Sequence, residues 1–253
     1  MGSTAISFIV LACVVGSALV GLSLRRVLPE HHLNDASLGV VKLATGLIAT
    51  LSALVLGLLI SSAKGSFDRV SNELVEIAAK VVALDRVLAD YGPDTGEIRA
   101  ALKRDFAAKV ELIASGDRGQ LATFGTRESL GALERLQLQL WRLKPGDEAQ
   151  QGLRARAVQI AAELASTRSL VMLQQDGSIP MPLLSVLVLW LIIIFASFGL
   201  CAPHNSTAVG ALLVCALCAS GAIFLILEMD QPLEGWIRIP VAPLRAAVAQ
   251  LGL

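Results

Sequence analysis

The carboxylates spaced most closely for binding a cation are Glu228, Asp230 and Glu234, which directly follow the last long apolar segment. Pro232 favours a turn here, and hard cations such as calcium prefer oxygen ligands that a turn can present together. The spacing does not match an EF-hand loop, and the nearby Trp236 is typical of a membrane interface. The pattern therefore allows a possible cation site, but favours a structural turn where the chain leaves the membrane.

A second set of residues suits the conduction of ions. Its members recur at three-four spacing on one face of a helix and are polar or small at one end and leucine at the other: Lys42, Thr45, Ala49, Ser52, Leu56, Leu59 and Ala63. Water-tolerant side chains can line an ion path, and a ring of leucines can gate it by dewetting. Small residues also let helices pack closely, and a Ser or Thr hydroxyl can bond to the carbonyl four residues earlier. Pore lining and helix packing therefore both remain open.

Catalytic motifs are absent from the sequence. There is no Gly-x-Ser-x-Gly, P-loop, dinucleotide fingerprint or His-Glu-x-x-His, so an enzyme is not expected and no cofactor is implied. His31 and His32 have no acidic or cysteine cluster beside them, which favours an ordinary loop over a metal site. The four cysteines fall in apolar segments and are interpreted as packing residues.

The composition indicates a membrane protein. Of the 253 residues, 55% are hydrophobic and only 17% are charged, which is below the usual share for soluble domains. The formal net charge is zero, so there is no excess of basic residues to indicate binding of nucleic acid. Four apolar segments are long enough to span a bilayer: residues 4–24, 39–63, 183–202 and 206–227. The third of these is expected to face lipid, and the fourth, rich in small residues, to pack against protein.

The second span is predicted to continue beyond the membrane without a break. From Phe67 to Leu88 the apolar residues alternate at three and four positions, which forms a packing seam, and a stop signal comes only at Gly92-Pro93. The sequence therefore predicts one helix of roughly 50 residues.

Residues 64–180 are predicted to be a helical domain outside the membrane. Pro93, Thr126 and Asp147 mark the starts of three further helices, and no strand pattern is present. The fold class is thus an all-α integral membrane protein, with four transmembrane helices and a helical cytoplasmic bundle inserted between the second and third. The expected domains are 1–63 and 181–228 in the membrane, 64–180 in the cytoplasm, and a cytoplasmic tail at 229–253. Basic residues flanking the membrane favour this orientation.

Several motifs together resemble a bacterial family of bestrophin-like membrane proteins. They are the run from Leu59 to Asp68, the triplet Leu84-Asp85-Arg86 with Tyr91-Gly92-Pro93, and the pattern from Glu228 to Gly235. The resemblance implies the architecture of bestrophins, which are pentameric anion channels whose second transmembrane helix lines the pore. The chain departs from bestrophins in having no aromatic residue at the neck and only separated carboxylates after the fourth helix.

Two functions are expected from these features. The first is a homo-oligomeric channel in the bacterial inner membrane, a pentamer by resemblance, that conducts a small inorganic anion. Lys42, Thr45, Ala49, Ser52, Leu56 and Leu59 would line its pore, with Lys42 as a cationic ring at the outer mouth. The alternative is a membrane-anchored scaffold that presents the cytoplasmic bundle to a protein partner.

Overall fold

The computed structural model describes residues 2–29, 34–116, 127–173, 179–203, 205–230 and 235–252. Within these ranges the secondary structure is helical, and no strand is present. The α-helices are α1 (Ser3–Val27), α2 (Asp35–Tyr91), α3 (Gly96–Ser115), α4 (Arg127–Arg142), α5 (Glu148–Leu173), α6 (Met181–Cys201), α7 (Ser206–Met229) and α8 (Ala242–Gln250). Four of them, α1, α2, α6 and α7, are long and apolar enough to cross a membrane.

Helix α2 is the longest element, with 57 residues. At about 1.5 Å per residue its length is roughly 85 Å, more than twice the thickness of a hydrocarbon core. It ends at Tyr91, where Gly92 has a φ of 122° and Pro93 begins a short 3-10 turn. Glycine adopts this backbone conformation without steric cost. The prediction of one unbroken helix that stops at Gly92-Pro93 is confirmed.

The described helices form two compact units, and the division falls inside α2. The first unit comprises residues 1–66 and 178–230, and the second comprises residues 67–177 and 231–253. Each unit has its own apolar core.

In the first unit, α1 and α6 approach each other through two glycines. A Cβ atom on Gly21 would lie 2.9 Å from the Ala196 carbonyl carbon, and one on Gly199 would lie 3.0 Å from the Ala18 carbonyl carbon. Both distances are too short for a real side chain, so the two backbones are in direct contact. At the ends of the same helices, the Arg25 guanidinium donates a hydrogen bond to the Cys201 carbonyl oxygen at 3.3 Å.

This contact corrects the prediction that the third span faces lipid, whereas the fourth span packs against α1 as predicted. Helix α6, which was expected to face lipid, buries Leu187, Ile194 and Phe195. Helix α7 buries Ala216 and Ser220, and the Ser220 hydroxyl donates to the Ser7 carbonyl oxygen of α1, although Cys215 and Cys218 are exposed. Hydropathy did not reveal the packing of α6, because it depends on Gly21 of α1 and Gly199 of α6, which let the two backbones meet.

In the second unit, the core is built from apolar stripes on several helices, one of which is the predicted seam of α2. Five buried residues of α3 recur at three-four spacing: Ile98, Leu102, Phe106, Val110 and Ile113. The seam of α2 contributes Leu74, Leu84 and Leu88, all buried. Leu140 of α4 and Ile160 of α5 complete the same core. Periodic apolar residues form these helices because each stripe removes its side chains from water.

The start of α5 is defined by a capping arrangement. The Gln150 backbone N–H donates to the Asp147 carboxylate at 2.6 Å, and the Gly146 N–H donates to the Gln150 side chain at 2.8 Å. These bonds satisfy amides that a helix start otherwise leaves unpaired, which confirms the predicted helix start at Asp147.

Candidate functional site

The predicted pore stripe on α2 lies on the packed face of the first unit. Thr45 and Ser52 are each 5% exposed, and Leu59 is 1% exposed. The Thr45 hydroxyl donates to the Val41 carbonyl oxygen at 2.7 Å, and the Ser52 hydroxyl donates to the Ile48 carbonyl oxygen at 2.8 Å. Both hydroxyls therefore satisfy their hydrogen bonding within the helix.

The other predicted members of the stripe lie closer to the surface. Ala49 and Leu56 are half-buried and pack against the core, whereas Lys42 is exposed. Within one chain, then, only the Lys42 end of the predicted stripe is open. That water reaches the rest of this stripe in the assembled protein remains a prediction.

The exposed side of α2 consists of two sectors of different chemistry. One sector carries large apolar side chains, including Leu43 and Leu54, which are 77% and 72% exposed. The other is defined here as the small-residue sector and consists of Gly46, Thr50, Ala53 and Gly57, all exposed.

The small-residue sector is the predicted stripe displaced by one residue along the chain. One residue turns a helix by about 100°, so the two sets face different directions. A Cβ atom on Gly46 or Gly57 would meet nothing within 4 Å, which leaves open space beside this sector. Lys42 and Lys64, both exposed, stand at its two ends. Its four-three-four spacing was visible in the sequence, but hydropathy alone did not separate it from the neighbouring stripe.

The predicted cation site lies only partly within the described residues, because Glu234 is outside them. His31 and His32, which were expected in an ordinary loop, are outside them as well. Glu228 is 1% exposed and accepts a hydrogen bond from the Ser3 hydroxyl. The backbone N–H of Asp230 bonds to the Ile226 carbonyl oxygen at 3.1 Å. Among the described residues, no group of three His, Cys, Asp or Glu side chains is placed to hold a metal ion.

Serines extend the surroundings of Glu228 between α1 and α7. The Ser7 hydroxyl donates to the Ser3 carbonyl oxygen at 2.9 Å, and the Ser220 hydroxyl donates to the Ser7 carbonyl oxygen at 3.2 Å. Glu228 is thus a buried carboxylate held by the start of α1, which fits the structural turn. The pairing with Ser3 was not anticipated, because 225 residues separate the two.

The motif around Asp85 organises the corner between α2 and α3. Arg99 donates to the Asp85 carboxylate from its Nε and Nη2 atoms, and the Gly252 backbone N–H donates to the same carboxylate at 3.0 Å. The hydrogen bond from Arg99 holds the pKa of Asp85 below its usual range, against the opposing effect of burial, and the Gly252 bond acts in the same direction. Sequence reasoning found Asp85 but missed Arg99 and Gly252.

The remaining motif residues support the same corner or lie at the surface. Leu84 and Tyr91 are buried, Arg86 is exposed and Asp68 is half-buried. Next to Gly92 and Pro93, the Thr95 hydroxyl donates to the Leu88 carbonyl oxygen at 2.5 Å. These motif residues form a structural joint between two helices.

A family model described as the bestrophin-like domain matches residues 11–244. A crystal structure of a bacterial bestrophin homolog from Klebsiella pneumoniae, carrying one isoleucine-to-threonine mutation, matches with a TM-score of 0.63 at 14% identity. That match covers 96% of this chain and 97% of the other, and at this identity it shows a shared fold. No curated protein matches the chain.

Proposed function

The chain belongs to the bestrophin-like family, and on that basis we propose that it forms a pentameric anion channel in the bacterial inner membrane, with α2 lining the path. The observation that carries the proposal is the exposed small-residue sector of α2, which is bounded by Lys42 and Lys64. Small residues on an exposed apolar helix can meet a helix of another copy of the chain, and an oligomer can also turn them toward a central axis.

The charges along α2 favour anions. The helix carries no carboxylate between Asp35 and Asp68, while Lys42 and Lys64 place a cation near each end of the apolar segment. In a symmetric oligomer each lysine becomes a cationic ring, which raises the local anion concentration. Ile60, 43% exposed and one turn beyond Gly57, would supply the apolar constriction that gates by dewetting.

The exposed leucines support a location in the bilayer. Exposure of the Leu43 and Leu54 side chains to water is unfavourable, whereas contact with lipid acyl chains is not. Basic residues flanking the spans favour a cytoplasmic location for residues 64–180 and both termini, because Lys64, Arg69, Lys80, Arg238 and Arg245 outnumber Arg25 and Arg26.

Cysteine accessibility tests which face of α2 lines the path. In a variant whose four native cysteines are replaced by alanine, single cysteines are placed at Gly46, Thr50 and Ala53, and in a second series at Thr45, Ala49 and Ser52. A membrane-impermeant thiol reagent is applied from each side of the membrane. The small-residue sector is expected to react and the predicted stripe to be protected.

Other labelling patterns decide against this assignment. Reaction only at Thr45, Ala49 and Ser52 would show that the predicted stripe, and not the small-residue sector, lines the pore. Protection of both series, together with no chloride flux in proteoliposomes, would remove the support for a channel. Single cysteines at Leu47 and Leu54 serve as lipid-facing controls, since both residues are exposed but lie in the sector of large apolar side chains.

A second candidate function is a scaffold that presents the helices of residues 64–180 to a protein partner. Its support is the exposed apolar face of α4, where Leu138 is 56% and Trp141 63% exposed. Proximity labelling in cells tests it: one protein recovered reproducibly with the wild type, and lost in Leu138→Glu and Trp141→Glu, would support the scaffold. Identical recovery from wild type and variants would contradict it.

A further inference from the structure

The tail segment, defined here as residues 235–240, carries the most exposed of the three tryptophans. Trp236 is 84% exposed, whereas Ile239 is 5% exposed and belongs to the core of the second unit. Trp236 is seven positions after Met229, the last residue of α7, so the extended chain can carry it at most about 25 Å from that helix end. An anchored segment therefore presents an indole ring close to where the chain leaves its fourth span.

Within the second unit, the tail segment lies at the end that α2 enters. Helix α3 runs back along α2, since Ile113 near the end of α3 and Leu74 near the start of the unit at residue 67 line one pocket. The Arg238 guanidinium donates to the Ser115 carbonyl oxygen at 3.4 Å, which places the segment beside the last turn of α3. The exposed indole ring is thus on the side of the unit that follows the membrane span of α2.

The Arg238 guanidinium adds a positive charge beside Trp236. It is exposed, and it donates to the backbone carbonyl oxygens of Gly235, Ala114 and Ser115 at 3.4–3.5 Å. None of the ion pairs among the described residues includes it. A helix C-terminus such as that of α3 offsets only about half of a unit charge. The surface therefore combines an aromatic ring with a cation that has capacity for an anionic group.

Trp141 provides a contrast at the other end of the same unit. It is 63% exposed and lies in the last turn of α4. The Gln150 side chain, which follows α4 in the chain, donates to the Tyr91 carbonyl oxygen at 3.0 Å, where α2 ends. Between residue 67 and Tyr91, α2 rises by about 36 Å. Exposure alone thus does not distinguish the two tryptophans, but their distance from the membrane span of α2 does.

We propose that Trp236 and Arg238 form a lipid-binding surface, with the indole ring in the head-group layer and the guanidinium at a lipid phosphate. Tryptophan suits this layer because its ring is apolar and its N–H can donate a hydrogen bond. Arginine supplies a planar fork of donors that matches a phosphate group. The surface would hold the C-terminal tail against the bilayer. The proposal rests on the membrane location of the chain and not on ion conduction.

Tryptophan fluorescence of the full chain in lipid nanodiscs tests this surface. Three variants each keep one tryptophan, Trp236, Trp141 or Trp190, and carry phenylalanine at the other two positions. The nanodiscs contain phosphatidylcholine brominated either near the head-group end or near the methyl end of its acyl chains. Bromine quenches a nearby indole, so the pattern reports the depth of each ring, and iodide in the buffer reports exposure to water.

Trp236 is expected to be quenched several-fold more strongly than Trp141 by the brominated lipids, and most strongly by bromine near the head group. Trp190 lies in the middle of α6 and should respond most to bromine near the methyl end, which makes it the control for lipid contact. Trp141 should respond to iodide instead, because it is an exposed tryptophan far from the membrane span of α2.

The contact of Arg238 with phosphate is tested by replacing part of the phosphatidylcholine with phosphatidylglycerol. The emission of Trp236 is expected to shift to shorter wavelength, because an anionic surface attracts the guanidinium. Arg238→Gln should abolish this shift, whereas Arg238→Lys keeps the charge and should retain it. Arg245→Gln is the matched control, since Arg245 lies on the same tail but pairs with Glu111 at 3.3 Å.

Three results would overturn the surface or its parts. Quenching of Trp236 by iodide but not by brominated lipid would place the ring in water. Protection from both quenchers would place the ring against protein, such as another copy of the chain. The same shift in wild type and Arg238→Gln would exclude the phosphate contact. Chloride flux plays no part in these readouts, so failure here leaves the channel proposal intact.

Discussion

Asp85 and Arg99 form a two-point ion pair that joins α2 to α3, with Nε to Oδ1 at 2.8 Å and Nη2 to Oδ2 at 3.0 Å. The Asp85 side chain is only 4% exposed, while the Arg99 side chain is 23% exposed. Such a bidentate pair fixes the relative orientation of two helices more firmly than a single contact. Because the Gly252 N–H binds the same carboxylate, one residue ties the C-terminal segment to this corner.

Asp85→Asn is expected to destabilise the second unit by about 2 kcal/mol, because the Arg99 charge loses its partner and a charge-assisted bond to Gly252 weakens. The measurement is the thermal unfolding of the full chain in lipid nanodiscs. Asp90→Asn on the exposed side of the same helix is the matched control and should change little. Equal unfolding temperatures for the two variants would contradict the structural role of Asp85.

The stability of the second unit is expected to fall at acid pH through the same carboxylate. Its pKa in the folded protein lies below the unfolded value of about 3.8, so the stabilisation is fully present above that value. It is lost as the pH falls through the folded pKa. Unfolding curves from pH 7 down to pH 2 should therefore show a loss below about pH 4 in the wild type that is smaller in Asp85→Asn.

Gly199→Ala is expected to disrupt the packing of α6 on α1, because its new methyl group would collide with the backbone at Ala18. The cost is about 1–3 kcal/mol, as for other overpacked sites. Gly16→Ala is the control on α1, since a Cβ atom there meets nothing within 4 Å. Unfolding in increasing SDS gives the comparison, and a Gly199→Ala variant as stable as the control would show that the helices do not touch here.

Lys42→Glu is expected to shift the proposed channel from anion toward cation preference, because it reverses the sign of the ring at one mouth. Reversal potentials measured in asymmetric potassium chloride report the change directly. Lys42→Arg keeps the charge and should preserve the anion preference. A conducting Lys42→Glu channel with unchanged selectivity would remove Lys42 from the ion path.

Local sequence patterns were sufficient to predict where the long helices lie and which α2 residues form the core of the second unit. Most of the seam predicted from Phe67 to Leu88 is buried, including Leu74, Leu84 and Leu88. Apolar periodicity predicts burial well here because the opposite side of each helix faces water. Gly92-Pro93 ended α2 because glycine and proline restrict the backbone through local sterics. The four apolar spans followed from their length and hydropathy.

The orientation of the membrane helices was decided only by tertiary structure. Lipid and protein interiors are similarly apolar, so hydropathy could not distinguish the buried Thr45 and Ser52 from the exposed Gly46 and Ala53, each one residue further along. The contacts of Gly21 with α6, of Glu228 with Ser3 and of Asp85 with Gly252 join residues more than 160 positions apart. No local pattern encodes such pairs, because each depends on how complete helices pack.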